Sequence, residues 1–160
     1  MNANGRRRIA RANFVKKARK AQPEAGIEVG DSYWWWEFCF GGKHVSKTKP
    51  RASQLTGSAF LSQVYAAHET LEDCAADREE LRCCIEDVCN DLESLKDETQ
   101  GSLDNMPESL QQGPTGELLQ DRVDELDNYI SELQSVDCDD ETTDPDDLKQ
   151  EILDLSYNGS

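Results

Sequence analysis

The chain has 160 residues, 36% hydrophobic and 31% charged, with a formal net charge of −16. That balance leaves too little apolar mass for a thick sandwich or a doubly wound sheet, and it favours elongated helices with a narrow apolar seam. The charge is also divided: residues 1–55 carry twelve Lys/Arg against four Asp/Glu, and residues 56–160 carry five against twenty-nine. A basic segment ahead of a strongly acidic body points to charged partners more than to a catalytic pocket.

Residues 1–22 read as a basic arm, helical in part or disordered in isolation because its apolar stripe is weak, with Ile9, Phe14, Val15 and Ala18 interleaved among cations and with Pro23 and Gly26 ending it. Its apolar stretch is too broken for a secretory leader. Residues 23–57 are expected to make a small aromatic module. "IEVGDSYWWWEFCF" is β-prone, Gly41-Gly42 is a two-residue turn signal, and "KHVSKT" returns as the second strand of a β-hairpin. Alternation puts Trp34, Trp36, Phe38 and Phe40 on one face and Tyr33, Trp35, Glu37 and Cys39 on the other. Both faces carry rings, so something must cover at least one of them.

Residues 58–136 read as an acidic helical hairpin. Ser58 is the expected N-cap of one helix over about 58–98, with a heptad seam through Phe60, Val64, Ala67, Leu71, Cys74, Arg78, Leu81, Ile85, Val88, Leu92 and Leu95. Such a helix would be about 60 Å long. Arg78 is the one charged residue on the seam; it demands a partner, such as a carboxylate of the second helix, or marks where the seam opens or its register is set. A Gly- and Pro-bearing connector over 99–116 carries a short helical turn at Leu103, Met106 and Leu110. A second helix over about 117–136 repeats the spacing with Leu119, Val123, Leu126, Ile130 and Leu133 and packs antiparallel on the first. Residues 137–160 form an acidic tail in which Asp144-Pro145 starts a short helix through Leu148, Ile152 and Leu155.

The six cysteines (Cys39, Cys74, Cys83, Cys84, Cys89 and Cys138) include no C-x-x-C pair. On one helix Cys84 and Cys89 lie about 140° apart and Cys74 and Cys83 about 180° apart, so they cannot share a metal. They read as small apolar residues in a reducing compartment.

Two strings, "GDSYWWWEFCFGGKHVSKTKPRASQLTGS" and "ETQGSLDNMPESLQQGPTGELLQDRVDELDNYISELQ", give roughly residues 16–136 a resemblance to a group of uncharacterised tailed-bacteriophage proteins with the same layout. The resemblance implies a phage gene expressed in a bacterial host cytoplasm, and an aromatic hairpin seated in a zinc-ribbon-like module with a C-x-x-C upstream and thiols near the return strand. This chain departs from that pattern. Residues 18–30 contain no Cys, and Ser46 stands where a return-strand thiol is expected. Cys39 and His44 alone cannot build a tetrahedral site, which implies a metal-free version. The resemblance carries no activity with it.

Two surfaces are candidate sites. On the basic side, Arg6, Arg7, Arg8, Arg11, Lys16, Lys17, Arg19, Lys20, Lys43, Lys47 and Arg51 would neutralise phosphates, with Tyr33 and Trp35 stacking on unpaired bases. The competing reading makes the tryptophans the core of the module and pairs the arm with the acidic body. On the acidic side, Glu72, Asp73, Glu79, Glu80, Glu86 and Asp87 would meet a protein partner. Carboxylates on a helical rod can imitate duplex DNA, which carries one charge per about 1.7 Å, although such runs are commonly a solvated exterior. His44 and His68 are the only histidines, His68 being read as a helix-surface residue, and no nucleophile–base arrangement or phosphate-cradling loop is present.

The expected fold is therefore mainly α: a long antiparallel helical hairpin with a small N-terminal β-hairpin module and a basic arm. The expected function is non-enzymatic and cofactor-free, an accessory protein that binds nucleic acid or a nucleoprotein complex through its basic region. The acidic helices would serve as a dimerisation or protein-docking arm, the surplus seam being open either to a homodimer or to docking of the third helix. The alternatives are an acidic inhibitor of a host nucleic-acid-binding enzyme and a structural or assembly protein. No membrane partner is expected, since no run nears the roughly 20 apolar residues that span a bilayer.

Overall fold

The computed structural model describes residues 10–38 and 41–157. The chain divides into two compact units, Met1–Tyr65 and Ala66–Ser160.

The first unit is built on a three-stranded antiparallel sheet in the order β1-β2-β3, with β1 spanning Asn13–Val15, β2 Tyr33–Phe38 and β3 Gly42–Ser46. The expected two-stranded hairpin thus gains a third strand, drawn from what reads in sequence as a helical arm. Phe14 and Val15 are aromatic and β-branched and suit a pleated surface better than a helix, and β1 registers Phe14 opposite Trp34. Beyond β1, Ala18 donates its N–H to the Asp31 carbonyl at 2.7 Å and accepts from Gly30 at 2.9 Å, and its side chain is buried. The sequence up to residue 22 is therefore part of the folded unit from Ala10 onward, where the Ala10 amide donates to the Leu55 carbonyl at 2.7 Å. Residues 1–9 lie outside the described residues.

The turn also differs from expectation. Gly42 pairs with Phe38 and opens β3 rather than sharing a two-residue turn with Gly41. Its φ of 75° is left-handed backbone that a side chain would strain. Short 3-10 turns at Pro23–Ala25 and Ala52–Gln54 complete the unit before α1.

Helix α1 runs Ala59–Asp73. Ser58 caps it as expected, its hydroxyl accepting from the Leu61 amide at 3.3 Å. Its seam is buried throughout: Phe60 and Val64 belong to the first unit, Ala67 and Leu71 to the second.

The single helix expected over 58–98 is two helices. After α1 the chain breaks at Cys74–Asp77, and α2 runs Arg78–Asp104. Asp77 makes the break, because its side chain accepts from the amides of Glu79 and Glu80 at 3.1 and 3.2 Å and so caps a new helix start. The 27 residues of α2 span about 40 Å. Arg78 is satisfied by backbone oxygens, not by a carboxylate of a neighbouring helix. Its guanidinium donates to the carbonyls of Asp140 at 2.6 Å, of Cys138 at 3.4 Å and of Thr143.

The short helix α3 covers Glu108–Gln111 and α4 covers Pro114–Gln134. α2 and α4 are antiparallel: Ile85 and Leu133 line one groove, Lys96 pairs with Asp127 at 2.7 Å, and Leu103 and Gly116 line a second groove. The buried stripe of α2 is Leu81, Ile85, Val88, Cys89, Leu92 and Leu95, and it meets Leu126, Ile130 and Leu133 of α4, together with Tyr129. The Tyr129 hydroxyl lies 3.2 Å from His68 Nδ1. Burial pushes that phenol up to about 12. His68 is thus a half-buried partner of the helical core and not the surface residue its position suggests.

Helix α5 runs Pro145–Asp154, capped by Asp144 with proline at its first turn, as the sequence predicts. It buries Leu148 and Ile152. Lys149 donates to the carbonyls of Glu72, at 3.0 Å, and of Cys74, satisfying the C-terminal end of α1.

Two glycines give opposite tests. A Cβ at Gly116 would land on the backbone of Gln111 inside van der Waals contact, whereas at Gly101 in α2 it meets nothing within 4 Å. Gly116→Ala should destabilise by about 1–3 kcal/mol through overpacking. Gly101→Ala should stabilise by up to about 1 kcal/mol through helix propensity. Urea denaturation of both variants checks the pair of signs. Arg78→Met keeps the stem and removes the donors, and in the same assay it should cost about 2–3 kcal/mol.

Candidate nucleic-acid interface

In an antiparallel sheet directly opposed residues share a face. The register aligns Asn13, Trp35 and Val45 in one row, Val15 with Tyr33 in the next, and Glu37 with Lys43 in a third. One face of the sheet therefore carries Tyr33, Trp35, Glu37, Lys43 and Val45. The other carries Phe14, Trp34, Trp36, Phe38 and His44.

The second face is the covered one at its centre. Trp36 is 5% exposed and stacks on His44, with ring centroids 5.5 Å apart and planes 15° from parallel. Phe38 meets the same imidazole edge-on at 5.3 Å. Towards β1 the cover ends: Trp34 packs on Phe14 at 4.9 Å, and Phe14 is 49% exposed. The tryptophans thus divide between the two readings, Trp36 being core and Trp35 lying on the opposite face.

On that opposite face Tyr33 and Trp35 are half-buried and two residues apart on one strand, about 7 Å along it. Lys43 is exposed and places its ammonium 4.6 Å from the centroid of the Trp35 ring, a cation–π contact. The ammonium occupies that face of the indole, so a base stacks there only when Lys43 swings aside, which would leave its charge free for the phosphate. Glu37 opposes Lys43 on the same face and works against phosphate there.

The remaining predicted cations are distributed around this unit. Arg11, Lys16, Lys17, Arg19 and Lys20 are exposed beside and after β1. Lys47 is exposed and pairs with Asp31 at 3.1 Å. The Glu28 amide, and then Lys47, hold the Asp31 carboxyl below the usual carboxylate range. Arg51 is exposed at the second 3-10 turn, where its amide donates to Gln54 Oε1 at 3.1 Å. Arg6, Arg7 and Arg8 lie outside the described residues. What the sequence reading missed was β1: the three-residue alternation Asn13-Phe14-Val15 was its only signal.

The predicted acidic site separates into three places. Asp73, Glu79, Glu80 and Asp87 line one shallow depression at the α1–α2 break, together with Cys74, Cys83 and Cys84. Glu86 lies in a different groove of about 480 Å³, whose apolar floor includes Ile85, Leu133 and Val136 and whose rim carries Glu93, Asp137 and Asp139. Glu72 neighbours His68 at 3.9 Å. In the acidic body cations serve structure: Arg78 and Lys149 hold carbonyls, Lys96 pairs with Asp127, and Arg82 with Glu79 at 2.8 Å.

Among the described residues no helix is long and apolar enough to cross a membrane, and none of their His, Cys, Asp and Glu side chains groups in threes that could hold a metal ion. No protein-family model, curated protein or solved structure matches the chain.

Proposed function

We propose that this is a non-enzymatic accessory protein that binds nucleic acid through its N-terminal unit, with Trp35 as the base-stacking platform. The observation that carries the reading is the Trp35–Lys43 pair, with Tyr33 beside it, on the sheet face opposite buried Trp36. The exposed cations from Arg11 to Lys20 supply non-specific phosphate attraction. The sequence resemblance to tailed-phage proteins supports a phage setting and a bacterial cytoplasm. Under this reading the acidic helical unit is the arm that docks a protein or a second copy.

A second reading has a specific observation of its own. The groove between α2 and the end of α4 sets apolar Ile85, Leu133 and Val136 among four carboxylates, one of them already bridged to Arg82, a net negative lining that complements a basic protein segment carrying an apolar anchor. In that case the acidic unit occupies the basic cleft of a nucleic-acid-binding enzyme.

Fluorescence polarisation with labelled single- and double-stranded oligonucleotides at several salt concentrations tests the first reading on the full chain. Trp35→Ala should weaken single-strand binding by about 5- to 150-fold, the range set by loss of one stacked base. Glu37→Gln should tighten binding, because it removes the one carboxylate on the stacking face. A chain beginning at residue 10 loses Arg6, Arg7 and Arg8 but leaves β1 intact. It should remain folded and show a salt dependence shallower by about 2 in slope. A chain beginning at residue 23 would remove β1 and Ala18, so its failure to bind would report unfolding. No salt-sensitive binding by the full chain overturns the first reading.

A further inference from the structure

The break between α1 and α2 brings together two thiols that one continuous helix would hold apart. The Thr70 carbonyl accepts the Cys74 amide at 3.1 Å and also the Cys84 thiol at 3.6 Å. The two side chains line the same shallow depression, and neither is fully buried. Around them the backbone is pinned, by Lys149 on the Cys74 carbonyl and by the Asp77 cap at the start of α2. Cys83 opens onto the same depression but is the more exposed neighbour.

We infer that Cys74 and Cys84 form a thiol-oxidation site, closing to an intramolecular disulfide on reaction with a low-molecular-weight disulfide. The exchange balances without any other reagent. The Cys74 thiolate attacks the small disulfide and releases one thiol. Cys84 then attacks the mixed disulfide at the Cys74 sulfur and releases the second. The protein loses two protons and two electrons, and the small disulfide is reduced to two thiols. Burial pushes the Cys84 thiol up to about 12, so its attack is the slow step and gains from the partner sulfur lying in the same depression. The bond would staple the residue that follows α1 to the second turn of α2, locking the corner that Arg78 and Lys149 hold non-covalently. This inference is independent of nucleic-acid binding.

The test uses the full chain, oxidised glutathione at mildly alkaline pH, and thiol titration in denaturant. Of the six cysteines, four should remain titratable, with the chain monomeric on a non-reducing gel and lighter by two hydrogens in mass. Cys74→Ser and Cys84→Ser should each abolish the bond, and Cys83→Ser should leave it. The closed loop of roughly ten residues should raise Tm by about 5–10 °C, reversed by dithiothreitol. Circular dichroism of the reduced variants separates a folding defect from loss of the thiol. A disulfide that survives Cys84→Ser, a disulfide-linked dimer, or glutathione adducts that never resolve would each overturn the assignment.

Discussion

The helical unit depends on what Arg78 does with its charge. The heptad pattern would carry one helix through residue 78, and that would set a guanidinium on an apolar seam with a large desolvation cost. Instead the chain stops at Asp73, restarts under the Asp77 cap, and turns Arg78 toward the loop 138–143, whose carbonyls have no helical partners. The Asp77 cap thus interrupts the helix, and Arg78 satisfies the backbone that follows α4. Lys149 of α5 does the equivalent at the C-terminal end of α1. With five cations against twenty-nine carboxylates in residues 56–160, structural use of these two leaves the exterior strongly negative, which is the property any partner of this unit meets first.

The N-terminal unit obeys a different constraint, the period of two along β2. Four of six consecutive residues from Tyr33 to Phe38 are Tyr or Trp, so neither face of the strand can be free of rings. On one face Trp36 is buried, stacked against the exposed ring of His44, which Phe38 meets edge-on. The other face keeps Tyr33 and Trp35, and Lys43 rather than a hydrocarbon lies over the indole. A lysine over an indole is a common structural contact, so the pair serves packing as well as it would serve a base and a phosphate, and the binding test decides between the two.

Much of the helical architecture was legible because its signals are local. The seam residues of α1, α2 and α4 are buried or half-buried, and Ser58 and Asp144 cap the helices they precede. The alternation of β2 likewise predicted which rings share a face. The break at Asp77 was harder to see, because a heptad count runs through a good N-cap residue without registering it. Arg78 was legible as an anomaly but not in its solution, since its carbonyl partners lie 60 to 65 residues away. The same holds for His68 with Tyr129. Strand β1 was hidden by its setting: three residues inside a cationic segment read as an arm until β2 supplies their partner. At the candidate site, Trp35 and Tyr33 were identifiable, while the position of Lys43 over the ring required the hairpin register.

The most direct measurement follows the three tryptophan indole N–H signals of the ¹⁵N-labelled full chain by NMR during titration with a single-stranded oligonucleotide. The account predicts that the Trp35 signal moves with saturable, salt-sensitive behaviour while the Trp36 signal stays. A Trp35 signal that is unmoved at saturation, or a response confined to Trp34 or Trp36, would contradict it.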